Sequence, residues 1–474
     1  MSEQPRRKIA IVGAGAGGVL LASALARPGP VLFDVTLIGP KAGRGAAYGA
    51  SDEGLLLNTR AAAMSLDPAS PSGFVDWLNT FRPRAEPWTA EDFAPRRLLG
   101  DYLETRLANL QDRTPGLGST RWVAGTVRSV AQQQGGWALR LDSGEQLEAE
   151  AVVLATGPAR PRPLLFNGRA EVEAYVQDDP WNEDGLKAAR GGGEVLIAGM
   201  GLSFADAAAA LWRLNPEIRV VAVSRHGVAP RIHVQGGAGE SLFAGGYPAA
   251  SSELQSRLSP TAGAGAGEGD PEIRESRLEE LRRHGPSVWA ALGQDQRRLF
   301  LRHVLPHWEA ERHRLPPQLG QVLRAAIERG KLELVRGRIA EAKALSDGSG
   351  ARVALKTDKG PRALTVRRIV NCTGPETDPY RSRNPVLLDL LDQGLATADE
   401  LGLGLRVAED AAAIGAEGRP TPGLFALGVL TQGRVFEITG LPEIRAQAYA
   451  LAGALAALPA PTPGAVHALA ANAN

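Results

Sequence analysis

Two glycine turns carry the chemistry that can be read from this chain. Gly13-Ala14-Gly15-Ala16-Gly17-Gly18 follows the apolar run Ile9–Val12 and leads into the alanine- and leucine-rich stretch Val19–Ala26. Gly13, Gly15 and Gly18 match G-x-G-x-x-G: a tight turn, a bare backbone for a pyrophosphate, and close packing of helix on strand. The unpaired N–H groups at the start of such a helix attract phosphate. The same device recurs as Val195–Ala198, then Gly199 and Gly201, then the helical stretch Leu202–Leu214. Ser203 opens that helix, and Phe204 stands where a third glycine would. Such a turn can also be a ligand-free packing corner; the strand before and the helix after favour a dinucleotide.

The strand ends separate the two units. A carboxylate at the end of the second strand normally holds the ribose hydroxyls. In the first unit the strand Asp34–Ile38 ends in Gly39-Pro40. In the second unit Arg219–Val223 ends in Ser224-Arg225-His226. A hydroxyl and a guanidinium suit a 2′-phosphate, whereas a carboxylate repels it, so this end favours NADPH over NADH. The plainer alternative is a solvated arginine.

These turns must be positioned by parallel sheets, and each unit has a matching exit. "TVRSV", "GWALRLDSG" and "EQLEAEAVVLATGP" follow the first; "GRIAEAKAL", "RVALKTDKG" and "ALTVRRIVNCTGP" follow the second. Each series reads as a β meander returning through a buried strand to Thr-Gly-Pro. A self-similar span of about two hundred residues is a duplicated domain, not a solenoid. The expected fold is α/β: two Rossmann-like dinucleotide-binding domains with a helical insertion. The boundaries expected are 1–177 with 376–474 for the first domain, and 178–375 for the second with an insertion at 227–320.

The chain has 474 residues, a formal net charge of +1, 44% hydrophobic and 22% charged residues. That balance gives no reason to expect nucleic acid or a membrane surface as partner. Arg6-Arg7 before an apolar run superficially resembles a twin-arginine signal, but such a signal has no need of the glycine spacing, so a cytoplasmic protein is expected. Cys372 is the only cysteine, which excludes an internal disulfide and a Cys-x-x-Cys redox pair. A lone cysteine beside a buried strand reads as a small core residue.

The insertion is less legible. Ala249–Asp270 reads as a loop rich in Ser, Gly and Ala; Glu272–His284 and Gln294–His303 read as amphipathic helices. The insertion would serve as a lid or substrate wall, or equally as a structural flap or contact in a homo-oligomer. His303 and His307 are interrupted by Pro306 and lack the intervening Glu of the zinc-hydrolase motif, so no metal site is expected. Arg312-His313-Arg314 would bind a carboxylate or phosphate, or form a salt-bridged surface.

Several stretches together resemble a known family. "GAAYG", "LLLNTRAAAMSLDP", "FVDWL", "FAPRRLLGDYL", "SRHG", "RHRLPP", "NCTGP" and "FEITGLPEIRAQ" are similar to the FAD-NAD(P)-binding family of bacterial two-dinucleotide-binding flavoproteins. The likeness runs from Lys8 to about Ala457. In this group the first turn holds FAD and the later one NADPH, and its members include flavin-dependent N-oxygenases. The resemblance implies FAD contacts at Gly13, Gly15 and Gly18, at Tyr48 and Asn58, at Thr156 and Gly157, and through the backbone of Val127. It further implies that Leu427-Gly428 and Gly440-Leu441-Pro442-Glu443 close over the flavin. A helix starting at Leu441 or Pro442 would present its positive end to the reduced flavin. NADPH would lie on Gly199, Gly201, Ser203, Ser224 and Arg225. Gly39 departs from the group's pattern, as does Val429, where many of these flavoproteins have an Asp.

Two adjacent dinucleotides imply hydride passing from NADPH to FAD. The main expectation is a monooxygenase that N-oxygenates an amino group of a small amino acid or amine with O2, through a C4a-hydroperoxyflavin. A dry pocket suffices for that chemistry, and no catalytic side chain is assigned. An NADPH-dependent reductase or dehydrogenase with an organic acceptor, or a flavin-binding redox sensor without turnover, are the alternatives.

Overall fold

The computed structural model describes residues 6–49, 52–112, 118–233, 243, 245–258 and 271–459. In chain order its strands are β1 Arg6–Val12, β2 Leu32–Ile38, β3 Ser119–Val123, β4 Val127–Gln133, β5 Gly136–Leu141, β6 Gln146–Ala149 and β7 Ala151–Leu154. Then come β8 Val176–Gln177, β9 Glu194–Ala198, β10 Arg219–Ser224, β11 Leu332–Ala344, β12 Ala351–Thr357, β13 Gly360–Val366, β14 Arg368–Asn371, β15 Ala412–Ile414 and β16 Pro420–Ala426. They fall into two compact units: Met1–Ser51, Arg60–Ala159 and Thr377–Asn474 form one; Asp52–Thr59 and Arg160–Glu376 form the other.

In the first unit a sheet runs β15-β16-β7-β1-β2-β3, parallel except at the β15–β16 edge. Ile9, Ile11 and Leu37 are almost fully buried, as strands covered on both faces require. The helix Ala16–Leu25 is buried from Gly18 to Leu25. It packs against the helices Arg96–Gln111 and Leu441–Ala456. The antiparallel meander β4-β5-β6 forms its own sheet. The helix Pro385–Asp392 closes its apolar face with Val386, Leu387, Leu390 and Leu391. Burying each such side chain contributes roughly 1.5–3 kcal/mol. Arg6 and Arg7 open β1 and pair with Asp34 and Glu150, so this pair belongs to the sheet.

In the second unit the sheet order is β13-β12-β11-β10-β9-β14-β8. The strands from β8 to β11 are parallel, and β11-β12-β13 is an antiparallel meander. The expected symmetry of the two exits breaks here. In the first unit the chain turns between β3 and β4, where Gly125 has φ +154. In the second unit β11 is a single strand of 13 residues that leaves β10 and continues into the meander, with a bulge between Ile339 and Glu341.

Three expected boundaries shift. The chain enters the second unit at Arg160, not at 178, because β8 pairs with β14 of the second sheet. The segment Asp52–Thr59 joins the second unit as well. The insertion ends before 317, since the helix Pro317–Glu328 is the crossover from β10 to β11 and buries Leu319 and Leu323 against the helix Leu202–Leu214. Within the insertion the helices are Ser251–Leu258, Pro271–Ala291, Gln294–Leu299 and Leu305–Arg312, with a π-helical segment at Phe300–Val304. Ser251–Leu258 is thus helical where a loop was expected, and the remainder of that expected loop, 259–270, lies outside the described residues. No helix among the described residues is long and apolar enough to cross a membrane.

Candidate functional site

The two glycine turns share one construction. Gly13 has φ +125, and a Cβ there would lie 2.1 Å from the carbonyl oxygen of Ala155. Gly199 has φ +102, and a Cβ there would lie 2.2 Å from the carbonyl oxygen of Cys372. Each turn is therefore pressed against the end of its own exit strand, where only glycine fits. Just beyond those strands Gly157 and Gly374 have φ +70 and +92, and a Cβ on either would meet nothing within 4 Å. Bare backbone facing open space beside a helix start is a surface that a ligand's phosphates can approach.

Helix starts differ. A Cβ on Gly18 would stand 2.0 Å from Gly13 O, so the first helix lies directly on its turn. Phe204 occupies that position in the second unit, fully buried, and its N–H bonds Gly201 O in a tighter first turn. Ser203 sits partly buried in that first turn, and a Cβ on Gly201 would meet nothing within 4 Å.

Over the first turn folds the 39–48 loop. Gly43 N–H donates to Ala14 O, and Gly45 Cα would stand 3.2 Å from a Cβ on Gly15. Arg44 fixes the loop to the helix Arg96–Gln111 through Glu104, at 2.7 Å, and Asp101. The role of Arg44 carries no signal in the sequence, because both partners lie about sixty residues away. Gly39 has a structural reason: a Cβ there would meet Ala14 N at 3.0 Å and Ala14 Cβ at 3.1 Å. A carboxylate at this position would crowd the turn. Burial raises the Tyr48 phenol above its ordinary value, with Arg96 opposing, so it stays protonated at neutral pH.

Leu427, Ile444 and Ala155 meet at the same turn. A Cβ on Gly17 would lie 3.7 Å from Leu427, 3.8 Å from Ile444 and 3.9 Å from Ala155, whose neighbours are Thr156 and Gly157. Gly428 has φ +71, and its N–H is already held by Gln447 Oε1 at 2.8 Å. Gly440 caps the helix Leu441–Ala456, Leu441 is buried, and Glu443 lies in the first helical turn. That carboxylate already occupies part of the helix's positive end. Val127 points its side chain into the core, leaving only its backbone for any ligand.

Asn58 is held by its own surroundings. It belongs to the second unit, where His233 Nε2 bonds its carbonyl oxygen at 2.9 Å. Within the Arg312-His313-Arg314 triplet, Arg314 is not open to an anion. The Arg314 side chain is fully buried and donates from Nε to Glu311 O, while the Glu311 carboxylate also accepts from Arg231 at 2.9 Å. Among the described residues no group of His, Cys, Asp or Glu is arranged to hold a metal ion.

At the end of β10 the Ser224 hydroxyl oxygen accepts the Gly227 N–H at 3.0 Å, leaving its own hydrogen free to donate. Arg225 lines a cleft of about 260 Å³ with Arg336, Gly337, Arg338, Lys356 and Asp358. Burial lowers the His226 pKa first, and Arg225, His307, Arg336 and His303 lower it further. His303 and His307 thus lie near the strand end as charge neighbours. Three cations of the cleft, Arg336, Arg338 and Lys356, are more than a hundred residues from Arg225 and had no motif to mark them.

Fold and turns define an α/β chain with two Rossmann-like dinucleotide-binding folds. Residues 10–159 match the FAD-NAD(P)-binding family model. No curated protein matches the sequence. Among solved structures, the chain is similar to L-lysine 6-monooxygenase from Pseudomonas syringae, at 18% identity and TM-score 0.62, covering 95% of this chain and 99% of that one. It is similar to the ornithine N-hydroxylase of Kutzneria sp. 744, described with reduced FAD, NADP+ and L-ornithine, at 16% identity and TM-score 0.61, covering 95% and 99%. It is also similar to a cadaverine monooxygenase from Erwinia amylovora bound to FAD, at 15% identity and TM-score 0.58, covering 94% and 92%. At these identities the likeness shows a common fold.

Proposed function

We propose that the protein is an NADPH-dependent flavoprotein monooxygenase that N-oxygenates the amino group of a small amino acid or amine. The observation that carries this reading is an asymmetry. Two turns of one construction occur; the strand after the first ends in Gly39-Pro40, and the strand after the second ends at a cleft of Arg225, Arg336, Arg338 and Lys356. A 2′-phosphate suits that cleft, which supports NADPH on the second unit and FAD on the first. The matched family and the shared fold with lysine, ornithine and cadaverine oxygenases support the same choice.

When bound, FAD supplies a two-electron carrier that accepts hydride from NADPH and activates O2. The chain's own residues bind and exclude. Gly13, Gly15 and Gly18 hold the FAD pyrophosphate at the helix start, with Thr156 and Gly157 alongside and Arg44 fixing the covering loop. Gly199, Gly201 and Ser203 hold the NADPH pyrophosphate, and Ser224 donates to its ribose phosphate. Tyr48, protonated, can donate a hydrogen bond but cannot act as a base at neutral pH. The place of action is the cytoplasm, where NADPH is supplied.

The test follows NADPH oxidation in air and without oxygen, with a panel of amino acids and diamines, and assays for hydroxylamine product. Substrate-stimulated, oxygen-dependent oxidation with hydroxylamine is the expected result. Equal anaerobic rates with an organic acceptor would make the protein a reductase. Turnover under neither condition would leave a flavin-binding sensor.

A further inference from the structure

The cleft at the end of β10 is built by three strands. In the parallel β10–β11 register Ser224 stands beside Arg336. Arg338 follows two residues later and so shares its face of the sheet. In the antiparallel β11–β12 register Arg338 is directly opposite Lys356. The turn at Gly227, φ +67, brings the end of β10 close over Arg336, whose Cβ would be 2.9 Å from a Cβ on the glycine. Gly337, between the two arginines, has no room for a side chain, since a Cβ would meet Lys356 O at 2.6 Å.

Like charges directly opposite on a sheet destabilise it. Two other arginines of this sheet are neutralised: Arg362 is paired with Glu333, and Arg219 with Glu194. Arg225, Arg336, Arg338 and Lys356 form no ion pair among the described residues, and all four are exposed. Asp358 is the single carboxylate of the cleft, and its N–H donates to Arg336 O. Four cations against one carboxylate, none of them ion-paired among the described residues, fit a site whose anion arrives with the ligand. Its volume, about 260 Å³, lies below the range that holds a whole drug-sized ligand. It fits a phosphorylated ribose.

We propose that Arg336, Arg338 and Lys356 are specificity-determining residues that read the 2′-phosphate of NADPH together with Arg225. Nucleotide choice is then made on the β11–β12 hairpin as well as at the end of β10. This rests on the NADPH reading above. Asp358 opposes the same dianion, so it limits affinity.

The test measures binding by calorimetry on the flavin-loaded protein, with 2′,5′-ADP, 5′-AMP and inorganic phosphate as probes. Wild-type protein should prefer 2′,5′-ADP to 5′-AMP, and phosphate alone should bind weakly. Arg336→Ala, Arg338→Ala and Lys356→Ala should each weaken 2′,5′-ADP about tenfold, the loss of one charge-assisted bond, and leave 5′-AMP unchanged. Asp358→Asn should tighten 2′,5′-ADP severalfold, a gain that damaged folding cannot produce. Variants that lose both nucleotides equally, or neither, overturn the assignment to the hairpin while a wild-type preference keeps the NADPH reading. Equal wild-type affinity for 2′,5′-ADP and 5′-AMP overturns both. Inorganic phosphate binding as tightly as 2′,5′-ADP would show a general anion site and overturn the proposal.

Discussion

Gly199 lies so close to the carbonyl of Cys372 that a Cβ on the glycine would come within 2.2 Å of the oxygen. Turn and exit strand are therefore one rigid corner. Gly199→Ala must relieve that collision and a φ of +102 together, which costs about 2 kcal/mol or more. Urea unfolding should show an earlier transition for the variant. An unchanged midpoint would refute the corner's rigidity.

Cys372 itself is buried, and burial together with nearby Asp206 raises its thiol well above the ordinary value. The thiolate is the reactive form, so the folded protein should resist alkylation at pH 8 and react fully in denaturant. Mass spectrometry counts the label. Rapid labelling of the native protein would contradict the packing seen here.

Gly15→Val should release the flavin. A side chain there stands 3.2 Å from Gly45 Cα before any ligand is considered, and it fills the approach to the pyrophosphate. Purified wild-type protein should be yellow with noncovalent FAD, and the variant colourless but folded. A fully yellow variant would remove the first turn from the FAD site.

Arg225→Ala should raise the KM for NADPH about tenfold or more, the loss of one charge-assisted bond, and leave NADH nearly unchanged. Steady-state kinetics with both nucleotides decides it. Equal losses would make Arg225 a structural residue, and a wild-type preference for NADH would refute the assignment outright.

His226 gives a pH dependence of known sign. Its pKa is lowered in the folded chain, mainly by burial and then by Arg225, His307, Arg336 and His303. The unfolded chain therefore binds the proton more readily, and the folded state loses stability as the pH falls below about 6.5, histidine's ordinary value. His226→Gln should flatten that part of the stability curve between pH 7 and 5. A parallel curve for the variant would show that other groups set the slope.

Both glycine turns were legible because their information is local. A strand, a positive-φ glycine and a helix are encoded within twenty residues, and backbone sterics admit few alternatives. The strand end Ser224-Arg225 was readable for the same reason. Length, the single cysteine and the repeated exits likewise determined a duplicated α/β chain without a dithiol. Tertiary structure alone decided what depends on pairing across distance. The parallel register of β10 with β11 carries Arg336 beside Ser224, and the hairpin places Lys356 opposite Arg338. No periodicity shows that β11 is one continuous strand where the first unit has two, because hydrogen bonds to a neighbouring strand fix that choice. Arg314 has the composition of an anion binder, yet it is buried beside Glu311; its role was set by what packs around it. Gly39 follows the same logic. A side chain's chemistry is local, but its partner, exposure and free space are properties of the folded surroundings.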